Sequence, residues 1–148
     1  MPVALPDVNV LLALVDPAHE HHEAAHSWFA AAEPEGWATC PLTENGFVRV
    51  LSNPRYPGMP MRPGDAAALL RTFVLNCEAN HRFWPDSVSL LDAALFDLDP
   101  VTGHQQTTDA YLLGLCERNG GTLTTFDRGI VSTVVRSART DLLRHLSA

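Results

Sequence analysis

Four carboxylates stand where apolar segments end or begin: Asp7 in L-P-D-V-N-V-L-L, Glu44 in P-L-T-E-N, Asp109 in Q-T-T-D-A-Y-L-L and Asp127 in L-T-T-F-D-R-G. They are spread over almost the whole of a 148-residue chain, so only a fold that gathers strand ends and helix starts brings them together. Carboxylate oxygens gathered with room for water and for substrate phosphates are what a hard divalent cation such as Mg²⁺ selects. Hydrolysis of a phosphodiester is the chemistry this pattern predicts.

The rest of the chain reads as alternating strands and helices. Val3 to Leu5 is a short apolar strand stopped at Pro6-Asp7, and Val8 to Val15 is a helix apolar almost all round, hence deeply buried. Asp16 reads as the N-cap of a second helix with Pro17 at its first position and Trp28 and Phe29 on its apolar face, ending near Pro34. A strand follows from Trp37 to Cys40, then a helix from Leu42 or Thr43 to Leu51. The proline-rich stretch from Arg55 to Gly64 reads as an exposed loop, and Asp65 to about Asn80 as a helix. Arg82 to Trp84 is a minimal strand. Ser89 to Phe96 reads as a helix on a partial capping box, Thr107 or Thr108 opens another that ends at Asn119-Gly120-Gly121, and Thr122 to Phe126 and Leu142 to Leu146 are the last strands. Such alternation predicts an α/β fold, a three-layer α/β/α sandwich around a short, mostly parallel sheet, with residues 1–148 as one domain. In such sheets the ligand site lies beyond the carboxyl ends of the strands, so all four acids can face one crevice.

Composition narrows the chemistry. The N-terminal run is too short for a secretory signal and no stretch is long and apolar enough to span a bilayer, so a cytoplasmic protein with no membrane partner is expected. Cys40, Cys77 and Cys116 are far apart in apolar surroundings and read as small buried hydrophobes. A net charge of −7 opposes a polyanion at long range, but bound metal would screen about four of the acids. All ten basic residues are arginine. Without lysine, P-loop and pyridoxal chemistry are excluded.

At these residues the chain resembles a PIN-domain ribonuclease, and more closely the VapC toxins of bacterial type II toxin–antitoxin pairs. The likeness runs from Leu5 to about Ile130. It is carried by Asp7-Val8-Asn9, the D-P-A-H-E-H-H-E-A-A segment leading to Trp28, Thr43-Glu44-Asn45, the H-x-x-T-T-D-A-Y-L-L block from His104 to Leu113, and T-F-D-R-G from Thr125 to Gly129. By that similarity Asp7, Glu44, Asp109 and Asp127 are the family's acidic quartet, with Asn9 and Thr125 as supporting polar groups. The resemblance implies one or two Mg²⁺ ions, or Mn²⁺ in their place, with Asp7 and Asp109 as direct ligands and Glu44 and Asp127 as direct or water-mediated ones. It implies an RNA substrate, a homodimer, and a VapB-like antitoxin; Trp28, Phe29 and Trp37 read as buried core by default and otherwise as candidates for the antitoxin groove and a dimer face. Arg49 and Arg128, with Arg55 and Arg62, are candidates for holding RNA.

Three other readings stand beside it. One is a housekeeping PIN-type RNA-processing nuclease, and another a catalytically silent PIN scaffold that acts by binding. The third comes from His22-Glu23-Ala24-Ala25-His26, which fits the H-E-x-x-H signature of zinc peptidases, although no third ligand stands at a suitable spacing. His19, His21, His22 and His26 otherwise read as a solvated helix start.

Overall fold

The computed structural model describes residues 2–147. Five strands, β1 (Ala4–Pro6), β2 (Trp37–Thr39), β3 (His81–Phe83), β4 (Thr122–Thr125) and β5 (Leu143–His145), form one sheet in the order β3-β2-β1-β4-β5. Every pairing is parallel, as the alternation predicts. Chain order runs outward from β1 through β2 to β3, then returns to place β4 on the other side of β1. The switch point is therefore the gap between the carboxyl ends of β1 and β4.

Side chains alternate across the sheet, and the two faces build two cores. Ala4 and Trp37 point to one face, where α1 (Val8–Val15), α2 (His22–Ala32), α3 (Pro41–Leu51) and α4 (Pro63–Asn76) contribute Leu11, Leu14, Phe29, Phe47 and Leu70. Leu5, Ala38 and Leu123 point to the other, against Leu112, Leu113 and Cys116 of α5 (Thr107–Asn119) and against Trp84, Phe96, Val134 and Leu142 from irregular segments. Trp28, Phe29 and Trp37 are core, with exposures of 6%, 7% and 0%, and so furnish no open groove.

Local chemistry sets the element ends. Asp7 caps α1, its Oδ1 accepting from the Val10 amide at 2.9 Å. Gly120 closes α5 at a φ of +68°, the left-handed conformation a glycine takes without steric cost. Gly46 lets α3 approach α1 so closely that an added Cβ would lie 2.6 Å from Val8 Cγ2.

Several boundaries differ from the sequence reading, α3 opening at Pro41 and β3 starting at His81 among them. Asp16 closes α1, its amide donating to Leu12 O at 2.8 Å, and its carboxylate accepts from the Ala18 amide and the Tyr56 hydroxyl. The second helix starts only at His22. Pro63 opens α4 two residues before Asp65, and the helix stops at Asn76, with a 3₁₀ turn at Glu78–Asn80. Ser89 to Phe96 is not a helix. Ser89 Oγ accepts from the Leu91 amide and Asp92 Oδ1 from the Ala94 amide, local turns that replace helical bonding, and Phe96 instead bridges to Val135.

Candidate active site

Asp7 follows β1 and Asp127 lies two residues past β4, so the switch point draws them together, and the Thr125 hydroxyl joins them. Thr125 Oγ1 donates to Asp7 Oδ2 at 2.5 Å and accepts from the Asp127 amide at 2.9 Å. A hydroxyl with one proton and two lone pairs serves both neighbours at once. Asp127 Oδ1 also accepts from the Gly129 amide at 2.7 Å, which turns the chain away from β4.

Asp7 is only 5% exposed. Burial pushes its carboxyl above the usual range, opposed by the Thr125 hydroxyl and the Val10 amide and reinforced by the charge of Asp127. Asp109, in the first turn of α5, is pushed up to about 6, first by burial and then by the charges of Asp7 and Asp127. These three aspartates share one electrostatic field. They repel, and a cation between them would relieve that repulsion.

Glu44 stands one strand over. Its Oε2 accepts from Thr39 Oγ1 at 2.7 Å, and Thr39 Oγ1 lies 2.8 Å from His81 Nε2. The hydroxyl proton goes to the carboxylate, so His81 Nε2 is the donor in the second contact. Burial lowers the His81 pKa, with the Glu44 charge opposing it. Glu44 is not among the charges acting on Asp109. The structure thus brings Asp7, Asp109 and Asp127 together and ties Glu44 to Thr39 beside them.

Among the described residues no three Asp, Glu, His or Cys side chains are placed to hold an ion by themselves. Magnesium does not require that, because it keeps several waters and takes one or two carboxylates plus substrate oxygens. The paired repulsion at Asp7, Asp109 and Asp127 is the donor chemistry such an ion fits.

The supporting candidates are scattered around this centre. Asn9 is exposed on α1 and borders the same recess as Asp127. Arg128 is exposed beside Asp127, and Arg49 is exposed in the last turn of α3. Thr39 and His81, which hold Glu44, were not singled out from sequence. A signal existed: Thr39 ends β2 as Thr125 ends β4, and both are fully buried polar residues.

The H-E-x-x-H pair does something else. His22 Nδ1 lies 2.7 Å from Ala13 O and His26 Nε2 2.9 Å from Leu14 O, with the rings 4.3 Å apart. Both ring nitrogens donate to carbonyls at the end of α1, which have no partner within their own helix. The pair caps the end of α1 from the solvated start of α2, where His22 is half-buried and His26 exposed, and it does not take up the zinc-peptidase arrangement.

The family model of the PIN domain matches residues 4–134. Ribonuclease VapC44 of Mycobacterium tuberculosis is 44% identical over 135 residues, covering 91% of this chain and 93% of that protein. Ribonuclease VapC39 of the same organism is 43% identical over 130 residues, 88% of this chain and 92% of that one. The crystal structure of M. tuberculosis VapC20, described as a Sarcin-Ricin loop cleaving toxin, aligns with a TM-score of 0.55 at 13% identity, over 87% of this chain and 97% of that chain. At that identity the likeness is one of fold. With its all-parallel sheet, its aspartates at the switch point and relatives at this level of identity, the chain belongs to the PIN-domain family, among the VapC ribonucleases.

Proposed function

We propose that the protein is a Mg²⁺-dependent endoribonuclease, the toxin of a type II toxin–antitoxin pair, with Asp7, Asp109, Asp127 and Glu44 as its working acids. The observation that carries this reading is the meeting of Asp7 and Asp127 at the strand switch point, joined through Thr125 Oγ1, with Asp109 in the first turn of α5 raised in pKa by burial and by both of their charges. Bound Mg²⁺, for which Mn²⁺ can substitute, lowers the pKa of a coordinated water and stabilises charge on the scissile phosphate. The chain does the positioning. Asp7 and Asp109 hold the ion, Asp127 completes the pocket from its turn after β4, and Thr125 fixes the Asp7 carboxylate. Glu44, anchored through Thr39 to His81, orients the attacking water from the neighbouring strand. Arg49 and Arg128 contact the RNA backbone.

The partner is a VapB-like antitoxin, and the toxin itself is a cytoplasmic homodimer. Between α3 and α4 runs a groove of about 580 Å³ with Val48, Leu70, Val74 and Leu75 along it and Glu44 in its wall. An amphipathic antitoxin helix fits such a floor, and an antitoxin arginine would find Glu44 there. Relatedness to VapC ribonucleases favours the toxin over a housekeeping nuclease.

The test is cleavage of RNA by the wild type and by Asp7→Asn, with Mg²⁺ and with EDTA. Asn keeps the helix cap but removes one charge from the ion's ligands. Near-complete loss of cleavage with an unchanged circular dichroism spectrum is expected. A variant that cuts at the wild-type rate removes Asp7 from the site.

A further inference from the structure

Beside Asp127 the structure forms a recess of about 370 Å³ lined by Asn9, His19, Glu20, His21, Phe126 and Asp127. Its volume lies in the range of small-molecule sites, about 300–1,000 Å³. The wall is built from rings. His21 lies on Phe126 with centroids 4.6 Å apart and planes 25° from parallel, and His19 follows at 5.7 Å. Glu20 Oε1 lies 3.5 Å from His21 Nε2 at the outer edge of that imidazole. Phe126 is partly buried and packs against the core, so the stack rests on an anchored ring.

The lining decides what such a recess takes. It presents two carboxylates and no arginine, which disfavours a phosphate. A flat, uncharged heteroaromatic ring suits it: stacking comes from His21, backed by Phe126, and edge hydrogen bonds from Asn9 and Glu20.

We propose that this recess seats the base of a nucleotide flanking the scissile phosphate, with the His21–Phe126 stack as its platform and Asn9 and Glu20 reading its edge. The inference rests on the ribonuclease reading and adds a specificity-determining subsite to it. Single-stranded RNA is the class of substrate this predicts, because only an unpaired base can be splayed into a recess.

Binding of the four nucleoside 5′-monophosphates and of ribose 5-phosphate, each with Mg²⁺, tests it without requiring cleavage. In the wild type at least one nucleotide should bind about fivefold or more tighter than ribose 5-phosphate, the lower end of base–aromatic stacking. In His21→Ala that ratio should fall below about twofold, and in His21→Phe it should return. If His21→Ala fails to fold, His21→Gln removes the ring, keeps a polar chain beside Glu20 and carries the same test. Equal binding of nucleotides and ribose 5-phosphate by the wild type overturns the subsite, as does a ratio unchanged by loss of the ring. Cleavage by wild type and Asp7→Asn, measured in parallel, separates the two readings. Asp7-dependent cleavage without base discrimination sinks the subsite alone, whereas discrimination without Asp7-dependent cleavage sinks the nuclease and leaves a nucleotide site.

Discussion

Thr125 Oγ1 donates its proton to Asp7 Oδ2 at 2.5 Å across 118 positions of sequence, and the same oxygen receives the Asp127 amide. One hydroxyl at the end of β4 therefore sets the orientation of a carboxylate at the end of β1 and the turn that carries another. Asp7 is almost wholly buried, so losing this partner would leave its carboxylate short of a hydrogen bond.

Thr125→Val keeps the shape and removes the hydroxyl. The expected result is a 10- to 100-fold loss of cleavage, with more Mg²⁺ needed for half-maximal rate, at about the scale of lost outer-shell bonds. Thr125→Ser should retain most activity. Rates of RNA cleavage across a Mg²⁺ titration check this, and a Thr125→Val enzyme with an unchanged Mg²⁺ requirement would deny Thr125 its orienting role.

Thr39 stands to Glu44 as Thr125 stands to Asp7: it ends its strand, is fully buried and donates to the carboxylate. Thr39→Val should free Glu44 from β2 and lower the turnover rate by about 10- to 100-fold. Substrate KM should change little, because Glu44 is assigned to the attacking water rather than to RNA binding. Steady-state kinetics on a short RNA substrate separates the two parameters.

Much of this arrangement was legible in the residues, and the parts that were not share a cause. Asp7 and Asp127 mark strand ends by themselves, because a buried apolar run followed by a carboxylate has one sensible reading in a parallel sheet. The bounds of α1 also follow from its own apolar run. His81 as the anchor behind Glu44 was out of reach, since it depends on the pairing of β2 with β3, a non-local register of Trp37 with His81. The expected helix at Ser89 to Phe96 failed because Ser89 and Asp92 bond their own backbone amides, a competition that periodicity does not reveal. His22 and His26 misled for a related reason: helical spacing brings two imidazoles to one face whether the face meets a metal or the end of α1.

Replacing either of those histidines should cost stability and spare catalysis. Each ring bonds one terminal carbonyl of α1, so His22→Ala and His26→Ala should each lose about 1 kcal/mol, or about 2–4 °C in Tm for a chain of this size. RNA cleavage at 25 °C should stay at the wild-type rate. Added Zn²⁺ should not support any peptidase activity, and loss of RNA cleavage in folded His22→Ala would place the pair in the site instead of under α1.

Asp109 gives the protein an unusual pH dependence when metal is withheld. Its carboxyl titrates near 3.8 in the unfolded chain and at about 6 in the fold, so the native state holds more protons between those values. Ionising Asp109 therefore opposes folding: the penalty is absent below about pH 4, grows as pH rises, and is complete above about 6. Asp7, raised in the same direction, adds to it. In EDTA, Tm should fall on going from pH 5 to pH 7.5, and Mg²⁺ should recover it at the higher pH, where the ionised carboxylates bind the ion. Asp109→Asn should raise the metal-free Tm at pH 7.5, flatten its fall with pH and abolish cleavage. Calorimetry of both proteins across that range decides the matter: a metal-free wild type whose stability rises between pH 5 and 7.5, together with an Asn variant that melts earlier than wild type at neutral pH, would mean that Asp109 is held by favourable contacts and not by the repulsion described above.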